Sequence, residues 1–359
     1  MEGSGFQEAP RDTGENNLGQ RFAQAIKKEA LKDFPKISID ILYARHETRE
    51  DLAGFRERLK ESDIYIPESS GWRKETLRRF NDLSFGGIRA LRNPTDMILG
   101  FSRNGGFFAE QIRAIRNSLK PITIIDLPAG HPIMKEYNKT LNSIVYRGGF
   151  SDMFNAFKEN FRRFAELNKE REDYMISHLF PAIQEVLERF PNLKKKKELK
   201  ILMTLGSLHT AVGQNFQQSG LDTKREFNRR PYLFDFQNEV RRRYSFDKEV
   251  SDQLAAKALL DSWFWKELSN KYPSRKDKDG GEKIAFVRKI IDAFDIKDVE
   301  EIYNAALMVK GKNKKRRRSN ELFFTKLDQK GIILPKTEQE LDEFLAKPLP
   351  RPNPQTQKQ

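Results

Sequence analysis

The stretch Ile37-Ser-Ile-Asp-Ile-Leu-Tyr43 places apolar residues at alternate positions and is rich in Ile, a pattern typical of a β-strand. A second run of this kind, Leu199-Lys-Ile-Leu-Met-Thr-Leu205, lies far downstream. Two shorter runs, Asp63-Ile-Tyr-Ile-Pro67 and Pro121-Ile-Thr-Ile-Ile-Asp126, predict further strands between segments of helical spacing. Strands that alternate with helices indicate βαβ units. The predicted fold class is therefore α/β, with a mostly parallel sheet flanked by helices.

The second half of the chain has a different pattern. A Phe-studded region over residues 153–190 and later segments carry apolar residues at helical spacing, and no strand is predicted between residue 220 and Ile332. A helical C-terminal region and a flexible basic, Pro-rich tail are expected to follow the sheet. The predicted organisation is a disordered N-terminus (1–18), an α/β domain (19–220), a helical region (221–309) and a basic, Pro-rich, partly disordered tail (310–359).

Composition excludes several classes of protein. The 359 residues contain no Cys, which excludes disulfides, thiolate metal sites and cysteine nucleophiles. No run approaches the roughly 20 apolar residues that a membrane-spanning helix needs. The polar, Gly-rich N-terminus lacks the apolar stretch of a signal peptide. The sequence therefore predicts a cytoplasmic protein without a membrane span.

The positive charge predicts an anionic partner or a solvated surface. The chain has 66 Lys and Arg against 52 Asp and Glu, a net charge of +14. Residues 229–243 mix arginines with aromatic residues, as nucleic-acid surfaces do, although aromatics at helical spacing also suit a core. Seven of the nine residues in 310–318 are basic, so this segment is the stronger candidate for binding nucleic acid. It could equally be a solvated linker.

Four residues with chemically useful side chains lie at or near the predicted strand ends. His46 follows the first strand, Glu68 the second and His209 the last, and Arg171 lies on the helix that precedes the last strand. The carboxyl ends of parallel strands share one edge of a sheet, so these side chains are expected to meet there. Each also has a structural explanation. The histidines could be polar loop residues, Glu68 could cap the helix near Trp72, and Arg171 could be one charge on a solvated helix.

The order of these residues resembles the erythromycin esterase/ChaN/Tiki (TraB-like) superfamily over residues 37–215. The motif Gly206-Ser-Leu-His209, the upstream Arg171 and the strand ending in Ile-Pro-Glu68 carry the resemblance. The first motif departs from the family pattern, because Tyr43 stands at its glycine position. Asp126 sits where members of the family often have a strand-end acid.

The resemblance implies a hydrolase of a small-molecule or peptide substrate, with Glu68, His209, His46 and Arg171 as the site. His46, His209 and Glu68 could bind Mn, Zn or Fe and activate water, or could act without metal as general acid and base. Arg171 could bind an anionic group or stabilise an oxyanion. Phosphate-binding loops and the Gly-x-Ser-x-Gly elbow are absent from the sequence. The alternative is a non-catalytic protein whose basic helical half binds nucleic acid or an acidic partner.

Overall fold

Four parallel strands form one sheet in the order β2-β3-β1-β4. The computed structural model describes residues 35–44, 52–86, 105–142, 148–227, 234–273 and 281–347. The strands are β1 (Lys36–Ala44), β2 (Ile64–Pro67), β3 (Glu198–Gly206) and β4 (Asp222–Phe227). Every strand pairing is parallel. The predicted α/β class with a parallel sheet flanked by helices is confirmed.

Thirteen helices are present in the described ranges. They are α1 (Phe55–Glu61), α2 (Lys74–Ser84), α3 (Gly105–Ile115), α4 (Pro132–Asn142), α5 (Phe150–Arg189), α6 (Pro191–Lys194), α7 (Thr210–Gln218), α8 (Phe236–Ser245), α9 (Asp252–Lys271), α10 (Gly281–Asp292), α11 (Ile296–Leu307), α12 (Lys312–Gln329) and α13 (Glu338–Ala346). None of these helices is both long enough and apolar enough to span a bilayer.

Both faces of the sheet are covered. Along β1, Ile39 and Ile41 join the apolar cluster that includes Met175 of α5, whereas Leu42 joins the opposite cluster with Phe55 of α1. A strand whose alternate side chains are buried on the two faces is typical of parallel sheets. The predicted strands at 37–43 and 199–205 therefore form the centre of the sheet, where β1 and β3 pair over their whole length.

Two features of the sheet differ from the sequence prediction. Residues 121–126 form no strand, because pairing with β2 is limited to a bridge between Ile122 and Tyr65 and Pro121 has no N–H to donate. An additional strand, β4, pairs with β1 at the other edge of the sheet. Its sequence, Asp-Thr-Lys-Arg-Glu-Phe, lacks an apolar run because an edge strand is largely exposed. The α/β region therefore extends past the predicted limit at residue 220.

The helical half is organised around a second core. Phe154 and Phe161 in the first half of α5 pack into it, whereas Met175 and later residues of the same helix pack on the sheet. The region 153–190, which is predicted to be helical, lies in one 40-residue helix that continues through Pro181. The two cores therefore share one helix, which positions the helical half against the sheet.

The segment predicted as a tail from residue 310 belongs largely to this second core. Phe323 and Leu327 of α12 and Leu341 of α13 are buried in it. Residues 312–318, for which a solvated linker was one interpretation, form the first turns of α12. The folded helical core therefore continues past residue 310.

Candidate functional site

Three of the four predicted site residues meet at the carboxyl edge of the sheet. Glu68 directly follows β2, His209 lies in the turn after β3, and Arg171 projects from the middle of α5. Glu68 Oε1 accepts a hydrogen bond from Arg171 Nη2 at 2.8 Å and lies 3.3 Å from His209 Nε2. His46 lies outside the residues that the structure describes.

Asp126 completes the environment of Arg171. Arg171 donates to both carboxylate oxygens of Asp126, from Nε at 2.8 Å and from Nη2 at 2.6 Å. The backbone N–H groups of Ser69 and Leu127 donate to the same carboxylate. Asp126 is 1% exposed, so these four donors replace the water that a buried carboxylate would lose. The pKa of Arg171 is raised, because attraction to Asp126 and Glu68 outweighs the opposing effect of burial.

His209 is held between two carboxylates. Its Nδ1 lies 3.1 Å from Glu172 Oε1, on the opposite side of the ring from Glu68. Asn168 Nδ2 donates to the same oxygen of Glu172 at 3.2 Å. Burial alone would lower the pKa of His209, but the charge of Glu68 and the hydrogen bonds to Glu172 and Glu68 raise it to about 9. His209 is therefore an imidazolium at neutral pH and donates from both ring nitrogens.

The surroundings of Gly206 explain why the motif that ends at His209 begins with glycine. Its backbone N–H donates to Glu68 Oε2, and its carbonyl accepts from the backbone N–H of His209 at 2.9 Å. A Cβ atom at this position would lie 2.9 Å from Glu68 Oε2, which is too close for an ordinary contact. The missing side chain therefore lets the carboxylate reach the end of β3.

Two further acids belong to the site: Asp126, which ends a predicted strand, and Glu172, which was not among the predicted site residues. Both are central to the cluster. The signal for Glu172 is its position on α5, where Phe164, Asn168 and Met175 continue the same buried stripe at helical spacing. Polar residues inside a buried helical stripe need partners, so they mark a site that the charge pattern alone does not reveal.

The cluster as a whole is a buried charge network. With His209 protonated it contains two cations, Arg171 and His209, and three carboxylates, Glu68, Asp126 and Glu172. The side chain of Glu68 is 14% exposed, whereas those of the other four are at most 5% exposed. Glu68 is therefore the member that solvent or a substrate reaches first.

The predicted metal set does not match this arrangement. Both ring nitrogens of His209 point at carboxylates, and the cation next to Glu68 is Arg171. A divalent ion at Glu68 would have to displace the imidazolium and lie against a fixed guanidinium. Within the described ranges, no group of three or more His, Cys, Asp or Glu side chains is placed to hold a metal ion. The predicted metal set also includes His46, which lies outside the described residues, so the metal site stays a prediction.

The predicted nucleic-acid surface at 229–243 is corrected over the part that is described. Arg241 is half-buried, with its guanidinium 4.6 Å from the ring centroid of Phe164, and Arg242 packs on the buried Phe234. Phe236 also lies in the core of the helical half. These arginines stabilise the packing of α8 on its neighbours, because cations favour aromatic faces. Residues 228–233 lie outside the described ranges.

The network makes stability depend on pH through His209. Its pKa is raised from 6.5 in the unfolded chain to about 9 in the folded protein. The stabilisation is fully present below pH 6.5 and is lost as pH rises through 9. We expect the free energy of unfolding of the natural protein to fall relative to that of His209→Gln over this interval, by on the order of 3 kcal/mol. Denaturant unfolding at a series of pH values measures this difference.

The control for this experiment is His131→Gln. His131 lies outside the cluster and forms no ion pair within the described part of the chain. This variant is expected to keep the pH dependence of the natural protein. Parallel stability curves for the natural protein and His209→Gln would show that His209 is not held as an imidazolium.

Comparisons with models of protein families, with curated proteins and with solved structures give no match to this chain. Membership of the erythromycin esterase/ChaN/Tiki superfamily therefore stays a prediction.

Proposed function

We propose that the chain is a hydrolase in which Glu68 activates water without the help of a metal. The observation that carries this proposal is the position of the Glu68 carboxylate, which is the most exposed member of the network and is fixed by three donors. These donors are Arg171 Nη2, His209 Nε2 and the N–H of Gly206. A carboxylate fixed at the carboxyl edge of a parallel sheet lies where such sheets place their reactive groups.

In the proposed reaction, Glu68 takes a proton from a water molecule that attacks the carbonyl carbon of an ester or a peptide bond. Glu68 then returns this proton to the alcohol or amine that leaves when the carbon–oxygen or carbon–nitrogen bond breaks. The hydrogen bonds of Arg171 to Asp126 and Glu68 use Nε and Nη2. Among the described residues, Nη1 of Arg171 has no hydrogen-bond acceptor. That N–H is the donor proposed for the oxygen that becomes negatively charged in the tetrahedral intermediate. Arg171 would therefore both orient Glu68 and stabilise the developing charge.

His209 has a positioning role in this proposal. As an imidazolium it links Glu68 to Glu172 and so fixes the carboxylate from the side opposite to the backbone of Gly206. It also adds a positive charge to a site that otherwise carries three carboxylates and one cation, Arg171. Loss of this proton in alkaline solution would leave Glu68 less well oriented, so activity is expected to decline there.

The test is hydrolysis of a panel of small-molecule esters and short peptides by chelator-treated protein. We expect Glu68→Gln to lower kcat/KM for any substrate turned over by at least about 100-fold, because the amide cannot accept the proton. Glu75→Gln is the matched control, since Glu75 is an exposed carboxylate paired with Arg78 and Arg79. Unchanged activity of Glu68→Gln, or activity that requires added metal, would contradict the proposal.

A second candidate function is the binding of a polyanion by the helical half. One observation favours it: Lys314, Arg317 and Arg318 lie exposed on the first turns of α12. The test is retention on immobilised heparin and its dependence on salt concentration, because displacement of counterions gives such binding a steep salt dependence. Failure to bind heparin at low salt would contradict this second function.

A further inference from the structure

We propose that α12 binds single-stranded nucleic acid, with phosphates on its exposed cations and bases turned into the groove between α12 and α9. This inference rests on the second candidate function and names its partner. It concerns a surface in the helical half, which the proposed hydrolysis does not use.

The first argument is the placement of charge. Six of the seven residues in 312–318 are Lys or Arg, and the first turn of α12 contains no acidic residue. Cations at the N-terminal end of a helix oppose the helix dipole, so their position there is unfavourable. Among the described residues, Arg317 forms an ion pair with Glu321 of its own helix and with no other carboxylate, and the side chain of Arg317 is 83% exposed. Folding alone therefore does not account for this run of cations, whereas an anionic partner would.

The second argument is the groove beside these cations. It has a volume of about 600 Å³, and its lining includes Asn313, Asn320 and Phe324 of α12 and Glu267 of α9. The two asparagines are two helical turns apart, which corresponds to about 10 Å along the axis. Amide side chains can pair with the edges of bases, and a partly exposed aromatic ring can stack on a base. The groove therefore offers base-reading groups next to phosphate-binding groups.

The third argument distinguishes nucleic acid from other polyanions. Glu267 accepts hydrogen bonds from Arg316, and the side chain of Glu267 is 14% exposed in the groove. A carboxylate disfavours a phosphate, a sulfate or a lipid headgroup at this position, but it accepts hydrogen bonds from the amino groups of bases. Phosphates would instead contact Lys314 and Arg318, which lie outside the groove, and the exposed Arg317 in its lining. Bases in a groove and phosphates outside it require an unpaired strand.

The experiment measures binding of the full-length protein to a fluorescein-labelled RNA 12-mer by anisotropy, at several salt concentrations. The comparison ligands are the same sequence as a duplex, heparin, and vesicles of anionic lipid. Lys314→Gln/Arg317→Gln/Arg318→Gln is expected to reduce the slope of log Kd against log salt by about 2, near 0.7 for each lost phosphate contact. Lys60→Gln/Lys74→Gln/Lys135→Gln removes the same charge from exposed lysines of the α/β half and is expected to keep the slope.

A second variant tests the groove without changing charge. Asn313→Ala/Asn320→Ala is expected to weaken binding of the single strand about tenfold, to keep the salt slope and to leave heparin binding unchanged. Equal affinity for the single strand and for heparin, with no effect of this variant, would overturn the inference while the polyanion function stands. Stronger binding to the duplex or to vesicles would also overturn it. Binding to none of the ligands would overturn the polyanion function itself.

Discussion

Replacement of Arg171 by Met is expected to lower the free energy of unfolding by about 3–5 kcal/mol. The substitution keeps most of the volume and the apolar stem but leaves Asp126, which is 1% exposed, without its bidentate cation. Glu68 loses a partner in the same step. An uncompensated buried carboxylate is costly because the surrounding protein cannot replace its hydration. Urea unfolding followed by circular dichroism measures the change.

Arg163→Met is the matched control for this prediction. Arg163 lies on the same helix, α5, and also pairs with carboxylates, but its side chain is 37% exposed. Loss of these exposed pairs is expected to cost less than about 1 kcal/mol. The double variant Arg171→Met/Asp126→Asn is expected to recover part of the lost stability, since the amide carries no charge. If Arg171→Met were as mild as the control, the buried network would contribute little to folding.

Replacement of Phe323 by Ala is expected to lower the free energy of unfolding by about 3–5 kcal/mol. Its ring is fully buried between two others, with centroids 4.1 Å from that of Phe264 and 4.7 Å from that of Phe294. The substitution would leave a cavity where α12 joins the core of the helical half, and the stacked rings on both sides would lose their contacts. Thermal or chemical unfolding measures the effect.

Phe324→Ala provides the matched control, because Phe324 is the next residue of the same helix and is only partly buried. Its loss is expected to cost clearly less, since part of the ring already contacts water. The comparison also tests the extent of the folded region. Equal and small effects of the two substitutions would indicate that residues after 310 behave as the tail that the sequence suggested.

The α/β class and the central strands could be predicted from the sequence alone. So could the meeting of most of the site residues at the carboxyl edge of the sheet. Ile39, Ile41 and their neighbours are apolar and largely buried, as a parallel sheet covered on both faces requires, so β1 was readable from its own residues. Glu68 and His209 were readable for a related reason, because each directly follows a strand and parallel strands share an edge. These inferences depend on local sequence patterns and on the rule that the carboxyl ends of parallel strands lie at the same edge of a sheet.

Which charged residues form ion pairs, and which basic segments are exposed to solvent, depends on the tertiary structure. Asp126 and Arg171 are 45 residues apart, and no local pattern distinguishes their ion pair from an exposed one such as that of Arg163 and Glu136. The same holds for Arg241, which is half-buried against aromatic rings although it lies in a run of arginines like that of the exposed cations of α12. The physical reason is that burial and pairing depend on the other elements packed around a side chain, and that packing is set by the whole chain.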